Sequence, residues 1–204
     1  MSRSCVGVLL AGGAARRFGG GAKGLARIDG VRIADRVLGA LREATDNRLV
    51  VANDPQATAW FAGERVISDA TRGLGPLMGL ATALDAAGGA AVLVVAWDMP
   101  FVTGALLRAL RDRGERSGTA AAPMHGPARW IEPLCAYYPP GALSACRALL
   151  AAGERRAAAL LERLPGVITL DDQALAPFGE PARLFESVDS PEDLAALGGD
   201  FGPA

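Results

Sequence analysis

Apolar residues along this 204-residue chain fall into two patterns. Short apolar runs at Cys5–Leu10 and Asn47–Ala52 read as buried strands, Arg65–Ser68 reads as a third strand and Ala91–Ala96 as a fourth. Between them the spacing lengthens to three and four. Arg32–Ala44 places Ile33, Val37, Leu38 and Leu41 on one helical face, with Arg32, Asp35, Arg36, Arg42 and Glu43 mostly off it. Asn53-Asp54-Pro55 stops the second strand and starts a short helix. Leu77–Ala87 is a small-residue helix entered through Pro76, a residue suited to a first helical turn. Ala91–Ala96 is the most apolar strand and reads as central; Thr103 then caps a helix to Arg113 with Leu106, Leu107 and Leu110 inward.

The second half is less regular. Thr119–Pro123 and Glu132–Tyr138 read as strands around a loop, Met124–Trp130, that carries His125 and Arg129. Ala142–Leu164 is helical in two pieces broken near Gly153. Val167–Leu170 reads as an edge strand, Asp171–Pro181 as turns and Leu184–Val188 as a further strand; Ser190 and Pro191 open a last helix. Strand–helix units of about 30 residues predict an α/β protein, a three-layer α/β/α sandwich around a mostly parallel twisted sheet, as one domain over residues 1–204.

Such sheets bind ligands outside the carboxyl ends of their strands. Four polar stations fall there: the glycine-rich stretch after Leu10, Asn53, Asp69 and Asp98. The stretch Leu9–Leu25 holds six glycines with Arg16, Arg17 and Lys23, and from Met1 to Ile28 there are five cations and no acid. Backbone N–H groups that glycine exposes, with cations beside them, suit a triphosphate. It is not a P-loop, because Lys23 is followed by Gly24 and no hydroxyl. It is not a dinucleotide fingerprint, because Gly19-x-Gly21-x-x-Gly24 begins nine residues after the strand ends. Lys23 is expected as an exposed loop cation. Asp98, at the end of a fully apolar strand and followed by Pro100, is costly unless its charge is compensated. A divalent cation bridging to phosphates would compensate it, and Mg²⁺ commonly takes one or two carboxylates in that way.

Half the residues are apolar and 21% are charged, a globular composition. A formal net charge of −1 gives no electrostatic basis for a nucleic-acid partner. No apolar run reaches membrane-spanning length and the first residues lack a signal-peptide core, so neither membrane nor export is expected. Cys5, Cys135 and Cys146 lack metal spacing and read as reduced thiols in a cytoplasmic protein. His125, the one histidine, reads as a loop residue, and no Ser/His/Asp or Cys/His set suggests a protein nucleophile.

Leu10-Ala11-Gly12-Gly13 followed by Arg17, Gly19 and Lys23 resembles the signature L-A-G-G-x-x-x-R-x-G-x-x-K that opens the molybdenum cofactor guanylyltransferases, small nucleotidyltransferases with a Rossmann-like fold. Trp97-Asp98-Met99-Pro100 is similar to that family's C-D-x-P, with Trp97 where a small residue is usual. Gly75-Pro76-Leu77-Met78-Gly79, Pro133-Leu134-Cys135-Ala136-Tyr137, Ala152–Arg156 and Phe185–Leu194 resemble further segments, so the resemblance runs from about residue 6 to 197.

The resemblance implies transfer of GMP from GTP to molybdopterin (the molybdenum cofactor), with release of pyrophosphate and with Mg²⁺. It implies triphosphate contacts from Leu10, Ala11, Gly12, Gly13, Arg17 and Lys23, a metal at Asp98, and base and ribose contacts from Asn53 and Asp69. Arg17, Lys23 and Asp98 are then the catalytic set. Ser187 and Asp189 stand where the family has asparagines, and Asp189 is a candidate second metal ligand. The nucleotide falls to an N-terminal half, about residues 1–115, and the acceptor to residues 116–204. Proteins that handle the cofactor or receive it are the expected macromolecular partners. Gly12, where cytidylyl relatives carry alanine, points to guanine. The alternatives are the same chemistry with cytosine or a sugar-phosphate acceptor, a nucleotide-binding module without turnover, or a dinucleotide oxidoreductase. The last lacks the acid that should follow a strand-linked glycine fingerprint.

Overall fold

The structure, a computed structural model, describes residues 5–12 and 22–201. The chain runs β1 (Cys5–Ala11), β2 (Arg27–Ile28), β3 (Val31–Arg32), α1 (Ile33–Ala44), β4 (Asn47–Ala52), α2 (Ala57–Trp60), β5 (Val66–Ile67), α3 (Pro76–Ala86), β6 (Ala91–Ala96) and α4 (Gly104–Ser117). It continues through β7 (Ala121–His125), β8 (Trp130–Ile131), β9 (Cys135–Tyr138), α5 (Ala142–Ala151), α6 (Ala158–Arg163), β10 (Ile168–Leu170), α7 (Asp172–Leu175), α8 (Pro181–Leu184) and α9 (Pro191–Ala196).

The sheet order is β10-β7-β9-β6-β1-β4-β5, with β8 hanging off β7. Strand β1 pairs in parallel with β4 and β6, β5 is parallel to β4, and β10 is parallel to β7. Strand β9 is antiparallel to both β6 and β7, so β7 runs with β6 and ends at the same edge. Side chains alternate across this sheet as the period of two requires. Leu9, Leu93 and Val95 join α1 and α4 in one apolar layer; Val8, Leu10, Val92 and Val94 join α3, α5 and α6 in the other. All six residues of β6 are buried, as expected of a strand covered on both faces.

The three-layer α/β/α sandwich is the expected one, with β4 and β6 at the expected residues. Three expectations are corrected. Leu184–Val188 is not a strand: Leu184 closes α8 and the chain then crosses the sheet edge on single backbone bonds, such as Val188 N–H to Asp98 O at 3.1 Å. Its apolar residues split between cores, Phe185 joining the α1/α4 layer and Val188 joining Ala26, Ile28, Ile33 and Leu194. The segment 171–181 holds α7 and a 3-10 turn rather than turns alone, and His125 closes β7 rather than lying in a loop.

Candidate active site

The parallel strands β1, β4, β5 and β6 lie side by side, and the described polar groups beyond them form two bonded sets, Asn53–Asp69–Thr82 and Lys23–Asp98–Asp189. Asn53 and Asp69, beyond β4 and β5, are bonded to each other. Asn53 Nδ2 donates to Asp69 Oδ2 at 2.7 Å, and the Asp69 backbone N–H donates to Asn53 Oδ1 at 2.9 Å. Thr82 on α3 donates its hydroxyl to the second Asp69 oxygen at 2.9 Å. The loop below them is buttressed from the far half of the chain. Arg155 takes the Leu77 N–H on its carbonyl at 3.2 Å and donates its guanidinium to Gly73 O at 3.2 Å. Gly75 enters α3 with φ 77°, and a Cβ there would approach Arg155 O at 3.0 Å, so glycine is required on two counts.

Lys23 is the meeting point. It opens a 3-10 turn, Lys23–Leu25, packed on α1. Its ammonium contacts Asp98 Oδ2 and donates to Asp189 Oδ1 at 2.8 Å. The Lys23 and Asp98 side chains are only 13% and 15% exposed, while Asp189 is half exposed. Lys23 is therefore not the exposed cation expected from the sequence, and the Asp98 charge is compensated by an ammonium within the protein. Burial alone would lower the Lys23 pKa, but Asp98 and Asp189 together hold it above the ordinary lysine range. Ser187 steadies Asp189 by donating to its other oxygen at 2.7 Å, and the Asp189 N–H donates to Asp193 in the capping box of α9 at 3.0 Å. Trp97, at the position where the resembled segment usually has a small residue, is buried against Gly24; a Cβ on Gly24 would run into the indole.

Leu10 and Ala11 turn their side chains into the core, and Leu10 O accepts the Trp97 N–H at 3.1 Å. Any ligand contact from these two is by backbone. Gly12 is exposed at the end of β1, with nothing within 4 Å of where a Cβ would stand. Gly13 and Arg17, expected as triphosphate contacts, lie outside the described residues.

The sequence reading missed two side chains. Thr82 sits inside a small-residue helix, and only its hydrogen bond to Asp69 in the folded chain marks it. Glu132 lies at the same sheet edge just before β9: Leu134 O accepts the N–H of Ala96, two residues before Asp98, at 2.8 Å. Burial pushes the Glu132 carboxyl above the ordinary range; the Leu134 N–H and the Trp130 side chain oppose this, and the Asp98 charge adds to it. Burial pushes the Cys5 and Cys146 thiols up to about 12 and holds the fully buried Cys135 thiol well above the ordinary thiol range, so none of the three offers a thiolate nucleophile near neutrality.

A mostly parallel α/β sandwich with a lysine–carboxylate cluster at its carboxyl edge defines a nucleotidyltransferase of the Rossmann-like class. Residues 7–167 match the MobA-like NTP transferase domain. The chain is 34% identical to the probable molybdenum cofactor guanylyltransferase of Natronomonas pharaonis, over 92% of this chain and 94% of that one. It is 32% identical to the molybdenum cofactor guanylyltransferase of Pseudomonas syringae, over 88% and 91%. Its structure is similar to that of molybdopterin-guanine dinucleotide biosynthesis protein A from Archaeoglobus fulgidus, with TM-score 0.78, 28% identity, and coverage of 94% and 96%. The chain belongs to the MobA-like NTP transferase family, among the molybdenum cofactor guanylyltransferases, and is an enzyme. A divalent metal ion is common among nucleotidyltransferases of this family. Among the described residues no helix is long and apolar enough to cross a membrane.

Proposed function

We propose that this enzyme transfers GMP from GTP to the phosphate of molybdopterin. An acceptor phosphate oxygen attacks the α-phosphorus, the bond from that phosphorus to the bridging oxygen breaks, and pyrophosphate leaves. The observation that carries this reading is the Lys23–Asp98 contact at the carboxyl end of the central strand, in a chain whose relatives bear that activity in their names. Lys23 supplies fixed positive charge where the triphosphate is held, and Arg17, six positions before it in the sequence, is assigned to the same phosphates. Asn53 and Asp69, with Thr82 behind them, present a pre-bonded polar surface for base and ribose. Gly12 leaves open space beside it, which favours guanine over a base that an alanine would frame. The nucleotide is thus assigned to the half around residues 1–115 and the acceptor to residues 116–204.

The donor chemistry fits Mg²⁺. Asp98 and Asp189 are hard oxygen donors that share one cation, and no cluster of three or more ligating side chains occurs among the described residues. An ion held by one or two carboxylates and completed by substrate phosphates is the usual Mg²⁺ arrangement. Asp98 would hold it, with Asp189 as the second ligand, and it would neutralise phosphate charge. Three free thiols support a reducing, cytoplasmic setting.

The test is pyrophosphate release with each of the four NTPs, Mg²⁺ and molybdopterin. Release with GTP alone among the nucleotides is expected; preference for CTP overturns the base assignment. Asp98→Asn should slow release by orders of magnitude, since metal stabilisation contributes several kcal/mol, while GTP still binds. Wild-type turnover with an unchanged Mg²⁺ midpoint would remove the metal from Asp98.

A further inference from the structure

Beyond Asp98, on the side away from Asn53 and Asp69, the sheet edge carries a second group of side chains. Trp130 on β8 stands opposite His125 on β7 and is 57% exposed, the most exposed large apolar side chain among the described residues. The turn that presents it is tight. Gly126 has φ 71° and Arg129 has φ 51°, a left-handed conformation that is strained for a residue with a side chain, and the Arg129 N–H closes on Gly126 O at 2.9 Å. Strain of this kind persists where the surroundings fix it, and it clusters at ligand sites.

Two residues on, the Glu132 carboxylate is largely buried. It takes the Leu134 N–H at 3.3 Å and interacts with the Trp130 side chain. The Glu132 N–H is tied to Pro123 O at 3.0 Å. On the other flank, the His125 ring stacks on Phe185, centroids 4.5 Å apart and planes 29° from parallel. Phe185 lies four residues before Asp189, the second carboxylate on Lys23. The wall is therefore anchored to the Lys23–Asp98 centre twice, through β9 to β6 and through residues 185–189.

We propose that Trp130 and Glu132 form the subsite for the pterin ring of the acceptor, the indole stacking on its 2-amino-4-oxopyrimidine face and the Glu132 carboxylate accepting its N3–H and 2-amino N–H. The inference rests on the reading of the acceptor as molybdopterin. A carboxylate only accepts, and two adjacent donors in one plane are the partners it takes in bidentate fashion. They would fill the acceptor positions that the Leu134 N–H and the Trp130 side chain leave on the Glu132 carboxylate. An exposed indole beside that carboxylate offers the apolar platform that a flat ring needs. Guanine bears the same donor edge, and position decides between the two. Glu132 belongs to the β6–β9–β7 side of the edge, whereas Gly12, Asn53, Asp69 and Thr82 belong to the β1–β4–β5 side and α3. With the nucleotide on one side and the pterin on the other, their reacting phosphates meet at Lys23 and Asp98.

The experiment uses the full chain, with Trp130→Ala, Trp130→Phe and Glu132→Gln. Steady-state kinetics give separate KM values for molybdopterin and GTP. A parallel titration with free 6-hydroxymethylpterin, followed by its own fluorescence, needs no turnover. Trp130→Ala and Glu132→Gln are expected to raise the molybdopterin KM about 10-fold or more and to weaken the free pterin, with the GTP KM within about twofold and Trp130→Phe close to wild type. Thermal melts confirm folding, since one change trims an exposed side chain and the other keeps shape. An unmoved molybdopterin KM in both variants overturns the subsite. So does a rise in the GTP KM instead, which gives Glu132 to guanine. If molybdopterin is not turned over with any nucleotide while the pterin binds in a Trp130- and Glu132-dependent way, the subsite stands and the guanylyl reading falls. If turnover proceeds and pterin binding is indifferent to both residues, the reverse holds.

Discussion

Lys23 keeps its proton in a largely buried place because two carboxylates share it, and that arrangement makes its removal costly. Lys23→Ala leaves Asp98 and Asp189 facing one another without a cation. A loss of about 1–3 kcal/mol in stability is expected by urea melts, more than an exposed lysine would give. Mg²⁺ should raise the Tm of Lys23→Ala more than that of wild type, because the ion takes the place of the ammonium; equal responses would argue against a metal at this pair. The pH dependence has a definite sign. The folded-state pKa of Lys23 lies above its unfolded value, near 10.4, so its contribution is complete below that value and is lost as pH rises through the folded one. The stability gap between wild type and Lys23→Met should therefore hold flat from about pH 7 to 9 and close above about 10.5. Lys23 and Asp98 were both legible as residue types in a sequence pattern. Their contact was not, because Asp189, 166 positions from Lys23, shapes the lysine's surroundings and periodicity says nothing about such distances.

At the scale of elements, the turn Lys23–Leu25 and the end of β6 are fitted to each other through Gly24 and Trp97. Gly24→Ala puts a Cβ into the indole and should cost about 1–3 kcal/mol, as overpacking does, and should weaken GTP binding because Lys23 shifts with the turn. Adding Trp97→Leu should return most of both losses, as read by thermal melts and calorimetry with GTP. The strands β4 and β6 and the helices α1, α3 and α4 were readable because their apolar spacing is unambiguous and Pro76 and Thr103 mark where helices begin. Residues 184–188 misled because a short segment rich in apolar residues resembles a strand, whereas Leu184 and Phe185 serve one core and Val188 another. Glu132 was hidden in what reads as the start of a strand, although β9 itself begins only at Cys135.

Across the whole molecule, fold class was legible because strands buried on both faces imply helical layers above and below. The direction of β9 was not, since an apolar run carries no sign of parallel or antiparallel pairing. That reversal brings Glu132 to the edge where β6 ends. Residues 188–200 pack back on residues 26–33: Val188 and Leu194 cover Ala26, Ile28 and Ile33, and Arg27 and Asp200 exchange backbone bonds at 2.6 and 2.9 Å. A chain ending at Leu184 should keep its sheet signature by circular dichroism, melt at a lower temperature and release no pyrophosphate. The Lys23–Asp189 tie has a further consequence for how the molecule is made. Lys23 leaves the ribosome 166 residues ahead of the carboxylate that orients it. A nascent chain can thus shape its sheet before this tie forms, and synthesis that halts short of residue 189 is expected to yield a product in which Lys23 lacks its second carboxylate.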